Sequence, residues 1–187
     1  MRQIIIWDMM TLDGYFEGSK PWDLGFHETA WGKELEDFSL EQLKDVGTLL
    51  FGKRTYEGMA AYWYKEKKET GAIADLMNSV EKVVVSSAPI ETQWNNSRLL
   101  EGDIVEGIKA LKNKPGKDIY VFGSAALTAE LLKLKMVDEI RVCIAPIVLG
   151  AGNPLFKSPA ESINLKLLET RPLKTGGVIL RYEVIGK

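Results

Sequence analysis

The sequence predicts an α/β fold in which one mixed sheet carries helices on both faces. Apolar runs rich in β-branched residues alternate with longer stretches of helical periodicity, and these runs are residues 3–10, 49–51, 83–85, 119–122 and 140–144. Short continuous apolar runs are typical of parallel strands buried on both faces. Two further strand-like runs, 164–170 and 178–185, follow with no helical pattern between them. They predict a terminal antiparallel hairpin, which makes the sheet mixed.

Composition limits the class of protein. A chain of 187 residues predicts a single domain over residues 1–187. The only cysteine, Cys143, excludes an internal disulfide and suits a reducing compartment. The net charge of −2 gives no general attraction to nucleic acid or to anionic membranes. Because no apolar run reaches the ~20 residues of a membrane span, and the first is too short for a secretory leader, we expect a cytoplasmic protein.

Helix starts can be placed from capping patterns. Ser39 with Gln42, and Asp103 with Glu106, have the spacing of a capping box, so helices are predicted to begin at Ser39 and Asp103. Residues 11–25 show neither helical nor strand periodicity, and a loop of this length in a compact domain is often a binding loop. Another helix is predicted from near Ser124, because three leucines spaced along one face form an apolar stripe: Leu127, Leu131 and Leu134.

The end of the second strand has the character of a phosphate site. Open α/β sheets bind ligands beyond the carboxyl ends of their strands. A helix start there offers unpaired backbone N–H groups and the positive end of the helix dipole. Basic side chains add cationic donors suited to phosphate oxygens. The alternative is a helix start that carries surface basic residues. The residues concerned are Gly52, Lys53, Arg54 and Thr55.

The next two strand ends strengthen this interpretation. Ser86 and Ser87 follow the third strand, where their hydroxyls could bind a ribose or its 2′-phosphate or could simply close a turn. Small residues open the helix after the fourth strand, where they let a pyrophosphate approach the backbone or serve helix–sheet packing. Three consecutive strand ends together favour a nucleotide site, although the spacing is not that of a Rossmann fingerprint. The small-residue segment comprises Gly123, Ser124, Ala125, Ala126 and Leu127.

With these residues the sequence resembles the dihydrofolate reductase superfamily. It is most similar to a branch of small bacterial proteins related to the reductase domain of riboflavin biosynthesis. The similar segments follow the family's order over nearly the whole chain. They are residues 10–14, 21–22, 50–58, 83–87, 121–125, 137–140 and 146–156.

The resemblance implies an eight-stranded mixed sheet, a homodimer, and hydride transfer from NADPH to a small-molecule substrate. By position, residues 52–55 would hold the pyrophosphate and the neighbouring phosphate, and Ser86 and Ser87 would face the adenine ribose. Residues 123–127 would lie under the pyrophosphate and the nicotinamide. Cations and hydroxyls favour NADPH over NADH, because a 2′-phosphate needs them in place of a carboxylate. The aromatic segment 62–64 also suggests an interface. No metal ligands are assigned.

Three residues are candidates for the catalytic side of the site. The resemblance implies that Trp22 abuts the nicotinamide and substrate, the alternative being an anchor for the long loop. His27 stands where folate reductases carry a carboxylate, and a histidine can donate a proton near neutral pH or simply start a helix. Asp13, which precedes Gly14, either contacts the cleft or caps a turn.

Three functions remain open. The first is an NADPH-dependent reductase of a small heterocyclic substrate, similar to 5-amino-6-(5-phosphoribosylamino)uracil reductase of riboflavin biosynthesis. The second is dihydrofolate reductase, and the third is a non-catalytic nucleotide-binding protein on the same fold. The chain departs from the riboflavin-pathway motif Gly-x-x-Thr-Val followed by Asp and Pro. Gly52 and Thr55 match it, whereas other residues stand at the remaining positions, namely Tyr56, Met59 and Ala60.

Overall fold

The computed structural model describes residues 1–65, 71–157 and 162–186. Its strands are β1 (Ile4–Thr11), β2 (Tyr15–Glu17), β3 (Val46–Gly52), β4 (Glu81–Val85), β5 (Ser97–Leu99), β6 (Asp118–Phe122), β7 (Glu139–Ala145), β8 (Asn153–Pro154), β9 (Asn164–Pro172) and β10 (Val178–Ile185). Its α-helices are α1 (Lys33–Asp45), α2 (Lys53–Ala60), α3 (Ala72–Ser79), α4 (Ile104–Asn113) and α5 (Ala125–Lys133). A 3₁₀ helix spans Gly25–Thr29, and a π-helical turn spans Ala61–Lys65.

The main sheet confirms the predicted fold class. It has eight strands in the order β5-β4-β3-β6-β1-β7-β10-β9. The first six in this order run parallel, and β10 pairs antiparallel with both β7 and β9. The terminal hairpin and the eight strands are therefore as expected. Since the carboxyl ends of β1, β3 and β6 lie side by side, residues that follow these strands converge on one edge.

Two hydrophobic layers hold helices against the two faces of this sheet. Side chains alternate along β1, so Ile5 and Trp7 pack into one cluster and Ile4 and Ile6 into the other. The second cluster also contains Leu127 of α5. Burial of both faces explains why β1, β3 and β6 read as continuous apolar runs rather than alternating ones.

The predicted helix starts had mixed outcomes. The Asp103 prediction is confirmed, because its carboxylate accepts hydrogen bonds from the backbone N–H groups of Val105 (2.9 Å) and Glu106 (3.1 Å) at the start of α4. The Ser39 prediction is wrong. Helix α1 begins at Lys33, and the Ser39 hydroxyl donates to the carbonyl of Leu35 within the helix (2.8 Å). A serine bonded to the preceding turn mimics the sequence signal of a cap.

The long loop, predicted to lack structure, contains a short strand. Within residues 11–25, β2 pairs antiparallel with β8, with Glu17 opposite Asn153. Strands of two or three residues are too short to show a period, which is why the sequence did not indicate them. Their pairing fixes this loop beside the carboxyl edge of the main sheet. Among the described residues, no helix has the length and apolar character needed to cross a membrane.

Candidate functional site

A cleft of about 240 Å³ opens at the carboxyl ends of β1, β3 and β6. It collects most of the residues predicted for the site: Trp22, His27, Gly52, Lys53, Arg54, Thr55, Gly123, Ser124, Ala125, Ala126 and Leu127. It also collects residues that the sequence did not indicate, including Asp8, Glu17 and Asn153. A larger cavity, of about 520 Å³, lies between α5 and β10 and has a mainly apolar lining. Because none of the predicted residues lines that larger cavity, the chemistry points to the smaller cleft.

Helix α2 brings its N-terminus to the cleft without a side-chain cap. Gly52 is its N-cap residue and has an extended backbone, with φ −76° and ψ 158°. A Cβ built on Gly52 would lie 3.8 Å from the Ser124 hydroxyl, at ordinary van der Waals distance. Gly52 is therefore not required by packing within the protein. A methyl group has room there, whereas a larger or charged side chain would reach over the helix N-terminus, where an anion would bind.

The turn before α5 uses two consecutive left-handed residues. Gly123 has φ +63° and Ser124 has φ +61°. For Ser124 this conformation costs about 1–2 kcal/mol, and such strain is typical of functional sites. A Cβ on Gly123 would approach Thr55 Cγ2 to 3.2 Å and would stand on a left-handed backbone, so both packing and φ favour glycine where the two helix starts meet. The peptide bond between Gly123 and Ser124 is trans.

Ser124 links the two helix starts. Ser124 is the N-cap residue of α5, but its side chain makes no capping hydrogen bond. In the left-handed conformation the hydroxyl instead accepts a hydrogen bond from the Gly52 N–H (3.2 Å). The N-termini of α2 and α5 therefore face one small volume.

The two basic residues of α2 already have partners. Lys53 Nζ donates to the carbonyl of Pro89 (3.2 Å), which places its ammonium beside the turn after β4. Arg54 donates from Nη2 to both carboxylate oxygens of Glu17, at 2.7 and 3.0 Å. The Arg54 side chain is still 60% exposed, so its remaining guanidinium donors face the opening.

Glu17 is the centre of a polar cluster that the sequence did not reveal. Its side chain is only 5% exposed, and it also accepts hydrogen bonds from the Trp22 backbone N–H and from Asn153 Nδ2, both at 2.6 Å. A lone glutamate in a loop carries no sequence signal of its own. These bonds tie the long loop to α2 and to β8 at the mouth of the cleft.

Trp22 lies against α2. Its backbone is left-handed, with φ +62°, and its N–H is held by Glu17. The indole packs on Gly58, where a Cβ would fall 1.8 Å from Trp22 Cζ2. Trp22 is thus an anchor of the loop and also lines the cleft, while its contact with nicotinamide and substrate stays a prediction.

Asp8 is the least expected residue of the cleft. It lies on β1, is only 7% exposed, and accepts a hydrogen bond at Oδ1 from the Gly123 N–H (2.9 Å). Its other oxygen, Oδ2, is buried and has no partner among the described residues. Burial raises the pKa of Asp8 well above its usual value, more than the Gly123 N–H lowers it. A buried unpaired polar atom costs about 1–3 kcal/mol, which suggests a functional reason for its retention. The available signal was one acidic residue within an apolar run.

His27 lines the cleft as a neutral imidazole. Burial lowers its pKa to about 4, and its ring packs edge-on against Phe26 with centroids 4.6 Å apart. At neutral pH the ring therefore carries no extra proton to give. This environment disfavours the proton-donor role that we predicted for His27, while leaving it able to contact a ligand.

Asp13 lies outside the cleft. Its carboxylate accepts hydrogen bonds from Thr11 Oγ1 (2.6 Å) and from the backbone N–H groups of Leu149 (3.1 Å) and Gly150 (2.8 Å). The hydrogen bond from Thr11 is the largest cause that lowers the Asp13 pKa to about 2. Asp13 holds two loops together, which is the turn-type alternative and not the catalytic contact.

The serines after β4 also lie apart from the cleft lining. The Ser86 hydroxyl donates to the Ala88 carbonyl (2.7 Å) and accepts from the Ala88 N–H (3.1 Å), so it closes a turn. Ser87 is exposed. Both lie on the segment that contains Pro89, whose carbonyl accepts a hydrogen bond from the Lys53 ammonium, but neither serine lines the cleft.

Comparison with known proteins identifies the family to which this chain belongs. Residues 2–179 match the RibD C-terminal domain. Protein YyaP of Bacillus subtilis is 34% identical over 191 residues, covering 97% of this chain and 94% of the relative. Protein YwjB of the same organism is 25% identical over 181 residues and covers 91% of each chain.

Solved structures share the fold. A Shewanella protein superposes with a TM-score of 0.79 at 19% identity, covering 97% of this chain and 98% of its own. Dihydrofolate reductase from Enterococcus faecalis, in complex with NADP(H), superposes with a TM-score of 0.66 at 17% identity, covering 98% of this chain and 97% of its own. RibD from Acinetobacter baumannii superposes with a TM-score of 0.66 at 15% identity. The match covers 100% of this chain and 59% of the RibD chain. The fold is thus that of dihydrofolate reductase, and the chain belongs to the RibD C-terminal domain family of reductase-like proteins.

Proposed function

We propose that this protein is a reductase that uses NADPH to reduce a small heterocyclic substrate, similar to 5-amino-6-(5-phosphoribosylamino)uracil. The observation that carries the proposal is the convergence of two helix N-termini, those of α2 and α5, on one cleft at the carboxyl edge of the sheet. Neither terminus is capped by a side chain. Backbone N–H groups and helix dipoles aimed at one volume suit a pyrophosphate.

The residues around the cleft fit the rest of a nicotinamide dinucleotide phosphate. Lys53 donates to the Pro89 carbonyl in the segment that carries Ser86 and Ser87, and we propose that this cation and these hydroxyls bind the 2′-phosphate. The remaining donors of Arg54 suit a neighbouring phosphate. Trp22 supplies an apolar wall of the cleft, which suits the nicotinamide ring.

Bound NADPH would supply a hydride, and this chain's residues would orient the reactants and exclude water. The loop held by Glu17 keeps Trp22 at the mouth of the cleft. This arrangement limits access by solvent from the side of α2. A non-catalytic role on the same fold would need the nucleotide cradle but not a buried acid beside it, and Asp8 therefore favours the reductase.

A substitution at Gly52 tests the cradle. Gly52→Asp places a carboxylate at the N-terminus of α2, where it would repel a phosphate, and we expect NADPH binding to be lost. Gly52→Ala is the matched control, because the backbone is extended and a Cβ has room at 3.8 Å, so it should bind NADPH normally. Normal binding by both variants would contradict the assignment of this site.

Turnover is tested by NADPH oxidation with a panel of substrates. We expect oxidation with 5-amino-6-(5-phosphoribosylamino)uracil or a related ribosylaminopyrimidine. Oxidation with dihydrofolate alone would establish the folate alternative. Saturable NADPH binding with no oxidation by any member of the panel would favour a nucleotide-binding protein without catalysis.

A further inference from the structure

We propose that Asp8 is the acid of this site: a carboxylic acid that donates the Oδ2 proton to the substrate as it is reduced. The inference rests on the proposed reductase function and adds the group that completes it. Reduction of a C=N or C=O bond adds a hydride to carbon and a proton to the heteroatom, and the predicted donors do not supply that proton. His27 is neutral because desolvation lowers its pKa to about 4, and Asp13 lies outside the cleft lining.

The position of Asp8 suits this role. The residue lies on β1 at the carboxyl edge of the sheet and shares the face that carries Ile6 and α5. Its side chain borders the same cleft as Trp22 and the start of α5. The hydrogen bond from the Gly123 N–H occupies Oδ1 and fixes the carboxyl orientation, so Oδ2 is the oxygen left for a ligand.

The surroundings keep the carboxyl group protonated. The strand neighbours of Asp8 are apolar, with Val142 opposite it on β7. Charged or titratable residues that line the cleft are Glu17, His27, Lys53, Arg54 and Lys157. Glu17 and Arg54 neutralise one another, His27 is uncharged, and the Lys53 ammonium is turned to Pro89. None of these side chains, Lys157 included, is a cause of the Asp8 pKa shift. Burial raises that pKa more than the Gly123 N–H lowers it, and so favours the neutral acid.

The chemical step balances without any further reactant. The substrate carbon gains the hydride that reduced nicotinamide supplies, and the electron pair of the double bond moves to the heteroatom. The heteroatom then takes the Oδ2 proton and leaves Asp8 as a carboxylate, which regains a proton from water. A neutral carboxylic acid in an apolar setting is a known way to hold such a proton at neutral pH.

The protonation state can be read without substrate or cofactor. The infrared difference spectrum of wild type minus Asp8→Asn at neutral pH should show a protonated-carboxyl C=O band. Asp13→Asn is the matched control, and its difference spectrum should show ionised-carboxylate bands only. Carboxylate bands in the Asp8→Asn difference would overturn the proposal, because the residue would then have no proton to give.

The kinetic test uses the same variant. Asn keeps an oxygen for the Gly123 N–H and an N–H donor for a ligand but cannot give up a proton. Asp8→Asn should bind NADPH as wild type does, while its reduction rate falls by roughly 10²–10⁴-fold. Reduction at the wild-type rate would overturn the proposal. Failure of the reductase function itself would look different: wild-type protein would not oxidise NADPH, yet the infrared band of Asp8 would remain.

Discussion

At the residue scale, the cleft is built from positions that break local rules. Ser124 adopts a left-handed backbone, and Asp8 buries an oxygen without a partner. Each carries an energetic cost that the rest of the fold must offset. Asp8 accepts a hydrogen bond from the Gly123 N–H, and Ser124 is the next residue, so both costs fall in one cleft. Local violations of this kind are typical of a site that is preorganised for a ligand.

Asp8 and His27 should change the slope of unfolding free energy against pH in opposite directions. Burial raises the pKa of Asp8 well above 3.8 and lowers that of His27 from 6.5 to about 4. Above pH 3.8 and up to its raised pKa, Asp8 binds more protons in the folded protein than in the unfolded chain. Between about pH 4 and 6.5, His27 binds fewer protons in the folded protein than in the unfolded chain. The Asp8 contribution to stability therefore fades as pH rises, whereas that of His27 grows, each by up to about 1.4 kcal/mol per pH unit.

Denaturant unfolding across pH 4 to 6.5 checks these signs. Asp8→Asn should make stability rise more steeply with pH than in wild type, because the opposing contribution of Asp8 is gone. His27→Gln should make the same curve flatter or falling. If both variants keep the wild-type slope, the protonation states assigned to the two residues are wrong.

At the element scale, the decisive feature is the attachment of the long loop to α2. The Glu17 carboxylate accepts hydrogen bonds from Arg54 on the helix and from the Trp22 backbone N–H on the loop. The Trp22 indole packs against Gly58, where no side chain stands in its way. A helix normally loses stability through an internal glycine, so Gly58 indicates that contact with Trp22 outweighs helix propensity.

Gly58→Ala should release Trp22 from α2. The added Cβ would fall 1.8 Å from the indole, so the Trp22 side chain must move and give up its packing on α2, at a cost of about 1–3 kcal/mol. A gain of ~1 kcal/mol in helix propensity offsets part of this cost. Hydrogen exchange of residues 18–24 should become faster and NADPH binding weaker. Gly107→Ala on α4, where the near neighbour is the Leu100 side chain, is the control and should leave both unchanged. Unaltered exchange in Gly58→Ala would show that Trp22 does not hold the loop.

The sequence predicted strand ends well and contacts across the cleft poorly. Gly52 and Ser124 were correctly expected at the cleft because Gly52 ends β3 and Ser124 lies two residues after β6, and local order along the chain determines these positions. Glu17 and Asp8 were missed because their roles depend on partners far away in sequence: Asn153 for one and Gly123 for the other. The same limit explains Asp13, whose partners on the loop near Gly150 no local pattern reveals.

At the scale of the whole molecule, the sheet has one strongly exposed edge. Strand β9 is bonded to β10 on one side, and its leucines are exposed, with Leu167 at 53%. The aromatic segment 62–64, which first suggested an interface, is half-buried, and Trp63 and Tyr64 pack against the core. The homodimer stays a prediction, and β9 is now its better candidate surface. Two copies of an edge strand can pair antiparallel about a two-fold axis and continue the sheet.

Leu167→Lys tests this surface. A charge on the exposed edge disfavours pairing with a second strand, so the variant should sediment as a monomer at concentrations where wild type is a dimer. Leu12→Lys is the control, because Leu12 is also exposed (68%) but lies in the long loop. A wild-type monomer at micromolar concentration would contradict the dimer itself, and a dimeric Leu167→Lys variant would contradict its placement at β9.

The central claim is that the cleft between the starts of α2 and α5 binds NADPH, and a fluorescence titration with NADPH and NADH tests it most directly. NADPH should bind clearly more tightly, because the Lys53 ammonium, which donates to Pro89 in the segment that carries Ser86 and Ser87, can pair with the 2′-phosphate. Lys53→Ala should remove most of this preference, with a loss of ~10–100-fold for NADPH and little change for NADH. Lys109→Ala, which changes an exposed lysine on α4, should bind both as wild type does. Equal affinities for the two nucleotides, or a preference that survives Lys53→Ala, would contradict the account.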